Sequence, residues 1–210
     1  FYGNDLDSNG TLDTNWHHIT VTYGTGRVRS IYIDGIFDKS DVSSSDLDLS
    51  TTVEVSIGRL PGANEHFDGK MSDFRIYDRA LSADEVGKIY AETYHQNNYS
   101  AEYLDKLKPL PLSNNFGLQY HFTAQDNSST GYITDYSGNL RHADVEGVTY
   151  DSTGSNILVS GKSYSLAFDG SNDYLKLDGS QNNGVAYTGI GGASPMTFES
   201  TFTQGGFVDD

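Results

Sequence analysis

The clearest candidate for metal chemistry is a stretch near the start of the chain, residues 4–18. Four of its side chains offer oxygen ligands at close spacing around a glycine: Asp5, Asp7, Asn9 and Asp13. Alternating oxygens around a glycine turn form the front of an EF-hand-type calcium loop. However, the twelfth position, where a bidentate Glu belongs, is Trp16, and no flanking helix is indicated. The stretch therefore predicts either a calcium site or an ordinary acidic hairpin loop.

The same stretch ends in Trp16-His17-His18, which raises the question of zinc binding or acid–base catalysis. The residues that follow alternate as a β-strand does, and neighbouring side chains of a strand point to opposite faces. His17 and His18 therefore cannot easily chelate one ion. We predict a structural role, with Trp16 in the core and the histidines beside it.

The composition excludes several classes of partner. The 210-residue chain has a formal net charge of −16 that is spread along the sequence, and such a surface repels nucleic acid. There is no cysteine, which excludes disulfides and thiolate metal sites, and no apolar run approaches the length of a membrane span. Because the chain begins at Phe1, we expect a processed product, a fragment or part of something longer.

Short alternating segments dominate the rest of the chain. Strand-like alternation occurs at 18–23, 29–35, 52–58, 72–78, 118–124, 164–170, 173–179 and 196–202. Asp-Gly recurs at 34–35, 68–69, 169–170 and 178–179, and we expect it to end a strand each time. In the first strand the apolar face consists of Ile19, Val21 and Tyr23. Many short strands punctuated by turns predict an all-β fold, an antiparallel β-sandwich.

One short helix is predicted near residues 81–92. Ser82 and Glu85 have the spacing of a capping box, in which each residue bonds a free N–H at the start of the helix. An apolar side follows, made by Val86, Ile89 and Tyr90. Residues 96–116 contain two prolines and predict a linker.

Several motifs resemble those of a known family. Three motifs resemble the closing half of the laminin-G-like branch of the concanavalin A-like lectin/glucanase jelly rolls. They are "NWHHITVTYGTGRVRSIYIDGIFDKS", "VEVSIGRL" and "HFDGKMSDFRIYDRALSADEV". The family's opening half is similar to "LQYHFTAQ", "DYSGN", "YSLAFDGSNDYLKL" and "MTFESTF". The resemblance implies a concanavalin A-like jelly roll with its halves in reversed order: a closing half at 1–95, a linker at 96–116 and an opening half at 117–210.

The reversed order allows two domain arrangements. The chain is either a permuted single domain or parts of two tandem domains. An unpaired half-sandwich exposes strand edges and half a core, so each half needs a complement. We favour head-to-tail pairing between copies, which builds filaments because such contacts do not close on themselves. The expected partners are thus other copies of the chain or tandem domains of a longer one.

The resemblance also implies a second calcium candidate. Jelly rolls related to laminin G often bind calcium near the sandwich edge. Asp135 and Asn139 match the family's opening loop, and Asp73 matches an acidic position of its closing strand. The three residues can converge only if the two halves assemble. The alternative is a Ser-Gly-Asn turn capped by Asp135.

Catalysis has little support in the sequence. Glycosidases on the implied fold carry Glu-x-Asp-x-x-Glu on one strand, whereas Glu54 and Glu199 have no partner carboxylate at that spacing. We therefore expect no enzymatic activity. The resemblance implies an extracellular or cell-surface module for adhesion, glycan contact or filament building. The alternative is a carbohydrate-binding accessory module of a secreted glycoside hydrolase.

Two further features of the sequence concern glycans: N-glycosylation sequons and tyrosines in loops. N-glycosylation sequons begin at Asn98, Asn9 and Asn127, and we rank Asn98 first because it follows the predicted helix in an exposed stretch. Tyrosines in loops are candidate stacking platforms for bound sugars. Five lie in predicted loops, and the sequence distinguishes none of them: Tyr2, Tyr94, Tyr99, Tyr136 and Tyr187.

Overall fold

The computed structural model describes residues 6–46, 56–60, 64–94, 117–122, 131–151, 165–177 and 195–204. The strands are β1 (His17–Tyr23), β2 (Val28–Ile33), β3 (Ile36–Val42), β4 (Ser56–Ile57), β5 (Asp68–Tyr77), β6 (Leu118–Phe122), β7 (Tyr132–Ile133), β8 (Ala143–Glu146), β9 (Thr149–Asp151), β10 (Ser165–Asp169), β11 (Tyr174–Lys176) and β12 (Met196–Gln204). They are accompanied by helix α1 (Ala83–Tyr94) and a short 3-10 turn at Thr25–Arg27. The predicted linker 96–116 and most of the predicted strand 52–58 lie outside the described residues.

The strands form two antiparallel sheets packed as a sandwich. Sheet A has eight strands in the order β3-β2-β1-β12-β5-β10-β9, with β6 also paired to β5. Sheet B has four strands in the order β4-β11-β8-β7. The all-β prediction with one short helix is therefore confirmed.

Strands from the two halves of the sequence alternate within sheet A. β12 lies between β1 and β5, and β5 pairs with β10 and β6 along its other edge. Residues 18–23 and 165–168 thus share one sandwich within a single chain. The expectation that each half completes its core with the next copy is wrong here, because each half finds its missing strands in the other. The prediction of filaments assumed that each half is incomplete within one chain, and this assumption does not hold.

The inner face of sheet A holds the main core. Ile76, Tyr120 and Phe122 pack there against Ile133 and Leu175 of sheet B. Directly opposite residues of antiparallel strands share a face, so the strand register shows which face of sheet A each of the other side chains occupies.

The outer face of sheet A is also buried: the residues of β1 alternate between two faces as predicted, but the polar face is the more deeply buried one. Tyr23 is buried on the inner face, but Val21 is 37% exposed. Instead His18, Thr20 and Thr22 are buried on the outer face. Helix α1 packs on that face, where the rings of Tyr90 and His18 lie 5.7 Å apart. A strand read by its apolar face alone cannot reveal that a helix covers the polar one.

Helix α1 begins as predicted, within two residues. The Glu85 N–H donates to Ser82 Oγ at 3.3 Å, and the Ser82 N–H donates to Glu85 Oε2 at 2.8 Å, which is the capping box. Val86 and Ile89 bury their side chains against Tyr32 and neighbouring residues of the outer face. The helix thereby fixes the second layer above sheet A.

The Asp-Gly pairs do not share one role. Asp34 and Gly35 both have positive φ, 51° and 76°, and join β2 to β3 as a tight hairpin turn. Strand β3 itself was not predicted, because charged residues interrupt its alternation. Asp68-Gly69 lies at the start of β5 instead of ending a strand, which corrects the expectation at that pair.

Candidate functional site

The three residues predicted as the second calcium site all contact strand β6. Asp135 accepts the backbone N–H of His121 at 3.0 Å, and Asp73 accepts a hydrogen bond from His121 Nε2 at 2.8 Å. Asn139 donates its side-chain amide to the carbonyls of Leu118 and Gln119 at 3.1 and 3.0 Å. The two halves of the sequence therefore converge here, through strand β6.

Asp135 acts as the cap of a turn. It is only 3% exposed, and besides His121 it accepts the N–H groups of Ser137 and Arg141 and the Ser137 hydroxyl at 2.8–3.0 Å. Four hydrogen bonds occupy its carboxylate and hold residues 135–141 against β6. This arrangement matches the predicted alternative, a Ser-Gly-Asn turn capped by Asp135.

Asp73 is placed by an irregularity in β5. Between the pairs Glu199–Arg75 and Thr201–Ser72 the register shifts, and Asp73 has a positive φ of 53°. Such bulges redirect a side chain, and Asp tolerates this backbone conformation. The buried Asp73 carboxylate is thereby aimed at Arg75, whose Nε and Nη2 lie 3.0 and 2.6 Å from its two oxygens.

The electrostatics of Asp73 follow from these contacts. Burial favours the neutral acid, but the Arg75 guanidinium and the His121 hydrogen bond outweigh it and lower the pKa of Asp73 to about 2. Arg75 also contacts the buried Glu199, with Nη1 3.1 Å from Oε1. The guanidinium therefore lies between two buried carboxylates.

These contacts do not form a calcium ligand set. The oxygens of Asp73 and Asp135 already accept hydrogen bonds from protein groups, and Asn139 uses its amide to fasten the loop to β6. Among the described residues, no three His, Asp or Glu side chains are grouped as metal ligands. Calcium at Asp135, Asn139 and Asp73 stays a prediction that the observed geometry does not support.

The described residues of the first calcium candidate also make separate contacts. Asp5 lies outside the described residues, and Asp7 is exposed. Asn9 turns to β3, where its side-chain amide donates to the Asp38 carbonyl at 2.8 Å. Asp13 accepts hydrogen bonds from Asn15 and contacts His17 at 3.0 Å. Asn9 and Asp13 thus serve different local contacts instead of one ion.

The placement of the Trp-His-His stretch differs in part from the prediction. Trp16 is only half-buried, so its placement in the core is wrong. His17 lies between two carboxylates, Nδ1 2.9 Å from Asp34 and Nε2 3.0 Å from Asp13. Partial burial lowers the pKa of His17, but these two hydrogen bonds and charges exceed that effect and raise it above its ordinary value.

Tyr136 is the surface feature of the β6 region. It is 47% exposed, and its ring lies edge-on to His121 with centroids 6.5 Å apart. His121 is fixed from below by Asp73, so the aromatic ring has a rigid polar neighbour. An aromatic body beside polar groups suits a ligand that has both C–H and O–H surfaces. Of the loop tyrosines, Tyr136 is the one whose side chain the structure describes.

Comparison with known families supplies the decisive relation. Residues 2–87 match the family model Laminin_G_3, described as the concanavalin A-like lectin/glucanases superfamily. Residues 2–87, less than half of the chain, are therefore similar to this superfamily. Neither the curated proteins nor the solved structures gave a significant match.

The laminin G-like segment contains β1 to β5 and the start of α1, including Asp73 and Arg75. The remaining strands complete both sheets around it and supply Glu199 and His121, and the loop between β7 and β8 supplies Tyr136. No helix in the described ranges is long and apolar enough to cross a membrane.

Arg75 was not among the predicted site residues, and Glu199 was considered only as a member of a catalytic carboxylate pair. Both stand in alternating strands, "DFRIY" and "FESTF", opposite each other in the register. Two opposite charges at alternating positions were a usable signal, but only once the pairing of β5 with β12 was known.

Proposed function

We propose that this protein is a non-enzymatic, laminin G-like module of an extracellular or cell surface that contacts glycans through Tyr136 and the neighbouring edge of β6. The observation that carries the proposal is the exposed Tyr136 ring beside His121, which a buried carboxylate holds in place. Sugars present C–H faces to aromatic rings and hydroxyls to polar neighbours. Adhesion would follow from such contacts.

A binding role is favoured over a catalytic one by burial. Asp73 and Glu199 are 2% and 1% exposed and both contact Arg75. A general acid or nucleophile must reach the substrate. Carboxylates tied to a guanidinium beneath the surface are suited to holding the site rigid.

A glycan array tests the proposal with three proteins: wild type, Tyr136→Ala and Phe37→Ala. Phe37 is a matched control, since it is an aromatic residue with 53% exposure on a different strand, β3. Loss of one aromatic contact should weaken binding about 2- to 12-fold. We expect that loss for Tyr136→Ala and none for Phe37→Ala.

Two outcomes would contradict the proposal. One is a wild-type protein that binds no glycan on a broad array, and the other is binding that stays equally strong after Tyr136→Ala. Hydrolysis of a bound oligosaccharide, detected by mass spectrometry, would instead support a glycosidase.

A further inference from the structure

Four buried polar side chains are gathered at the junction of β1 and β12. His18 lies directly opposite Thr201, and Thr20 lies directly opposite Glu199. Opposite residues of antiparallel strands share a face, so all four occupy the outer face of sheet A. None is more than 1% exposed. The ring of Tyr90 lies 5.7 Å from that of His18, which places helix α1 over this junction.

The polar atoms of these side chains are unusually poorly paired. Six polar atoms of these four side chains have no hydrogen-bond partner within the described residues: His18 Nδ1 and Nε2, Thr20 Oγ1, Thr201 Oγ1, and Glu199 Oε1 and Oε2. Glu199 Oε1 lies 3.1 Å from Arg75 Nη1 and 3.5 Å from His18 Nε2, but neither contact has hydrogen-bond alignment. Native proteins satisfy most buried polar atoms, and the exceptions require an explanation such as bound solvent.

Charge restricts what could satisfy these atoms. A cation is disfavoured because Arg75 already lies 3.1 Å from Glu199, and an anion is disfavoured by Glu199 itself. The partner must donate to the Glu199 carboxylate and exchange hydrogen bonds with hydroxyl and imidazole groups, which can donate or accept. A neutral O–H group does both.

We propose that His18, Thr20, Glu199 and Thr201 form a buried binding site for neutral hydroxyl groups, supplied by water or by a small polyol. The site lies under α1 and does not depend on glycan contact at Tyr136. It gives the polar outer face of β1 and β12 a role that the core and the helix contacts do not explain.

The double variant Thr20→Val/Thr201→Val tests the site by the sign of its effect. Valine keeps the shape and removes the hydroxyls. If the hydroxyls bind an O–H partner, the melting temperature should fall by about 2–4 °C for each one lost. If they are dry, removing an unsatisfied polar atom should leave the melting temperature unchanged or raise it, and the proposal would fail.

Thr197→Val serves as the matched control. Its hydroxyl has partners within the protein, accepting from the Leu81 N–H at 2.9 Å and donating to the Arg79 carbonyl at 2.8 Å. The melting temperature should fall in this variant whatever the junction contains, which establishes the sensitivity of the assay.

A crystal structure of the wild type and a glycerol titration separate the two sources. Ordered oxygen density within about 3.2 Å of Glu199 and a threonine hydroxyl supports the site. If glycerol then raises the melting temperature of wild type more than that of the double variant, a polyol enters; an equal rise indicates water. Absence of ordered oxygen at Glu199, together with an equal rise, would overturn the proposal even if the double variant failed to fold.

Discussion

Replacing Arg75 by methionine should strongly destabilise the protein. The guanidinium contacts Asp73 at 2.6 and 3.0 Å and Glu199 at 3.1 Å, and all three residues are at most 6% exposed. Removing it leaves two buried carboxylates without their cation. Breaking a buried pair by removing one partner costs about 3–5 kcal/mol. For a chain of this size, that loss lowers the melting temperature by about 6–20 °C.

The pH dependence of stability provides a second, independent test of the same charge network. In wild type the pKa of Asp73 is about 2, below its ordinary value of 3.8. The group therefore contributes about 2 kcal/mol of stability above pH ~4, which is lost as the pH falls from about 4 through about 2. Without Arg75, burial should outweigh the remaining His121 contact and raise the pKa of Asp73. The variant should then gain stability as the pH is lowered from 7 towards 4.

Thermal unfolding of wild type, Arg75→Met and Arg29→Met at several pH values measures both effects. Arg29 is a suitable control because it also pairs with a carboxylate, Asp41, at 2.6–2.8 Å but near the surface, so its loss should be small. A triple change that also neutralises Asp73 and Glu199 should recover part of the stability. If Arg75→Met costs no more than Arg29→Met, or does not gain stability on acidification, the buried charge network is refuted.

Three further predictions concern other parts of the fold. Because the pKa of His17 is raised, its contribution to stability should be complete below pH 6.5 and lost as the pH rises through the higher folded value; melting curves at pH 5.5 and 8.5 should differ less in His17→Gln. Gly35→Ala should cost more in urea unfolding than Gly26→Ala, since both have positive φ but only at Gly35 would a Cβ lie 2.8 Å from the Tyr90 ring. Because the carboxylate of Asp135 already accepts protein hydrogen bonds, calcium should leave the melting temperature unchanged; a rise by mass action would restore the predicted site.

Local features were predictable because their determinants lie within a few residues. The capping box at Ser82 and Glu85 needs only a spacing of three, and it forms as expected. The hairpin of β1 and β2 follows from alternation on both sides of a glycine-bearing turn. The Asp135 turn was correctly offered as an alternative to calcium, since Asp caps such turns through its own neighbouring N–H groups.

Non-local features were not predictable from the same patterns. β1 pairs with β12 from the far end of the chain, and no local signal specifies that partner. The burial of His18 depends on a helix packing over the polar side of its strand. The family resemblance implied that Asp73 is a metal ligand. No local pattern predicts that it is aimed at Arg75 instead, because the backbone bulge responsible arises from the register between β5 and β12.

The most direct test of glycan contact at the β6 edge is to map the contact surface in solution. Wild-type protein labelled with ¹⁵N would be titrated with an oligosaccharide that it binds, and amide shift changes recorded by NMR. We predict saturable changes concentrated at residues 118–122 and 135–141, and their loss in Tyr136→Ala. Changes centred on the β2–β3 hairpin, or unaltered in the variant, would contradict it.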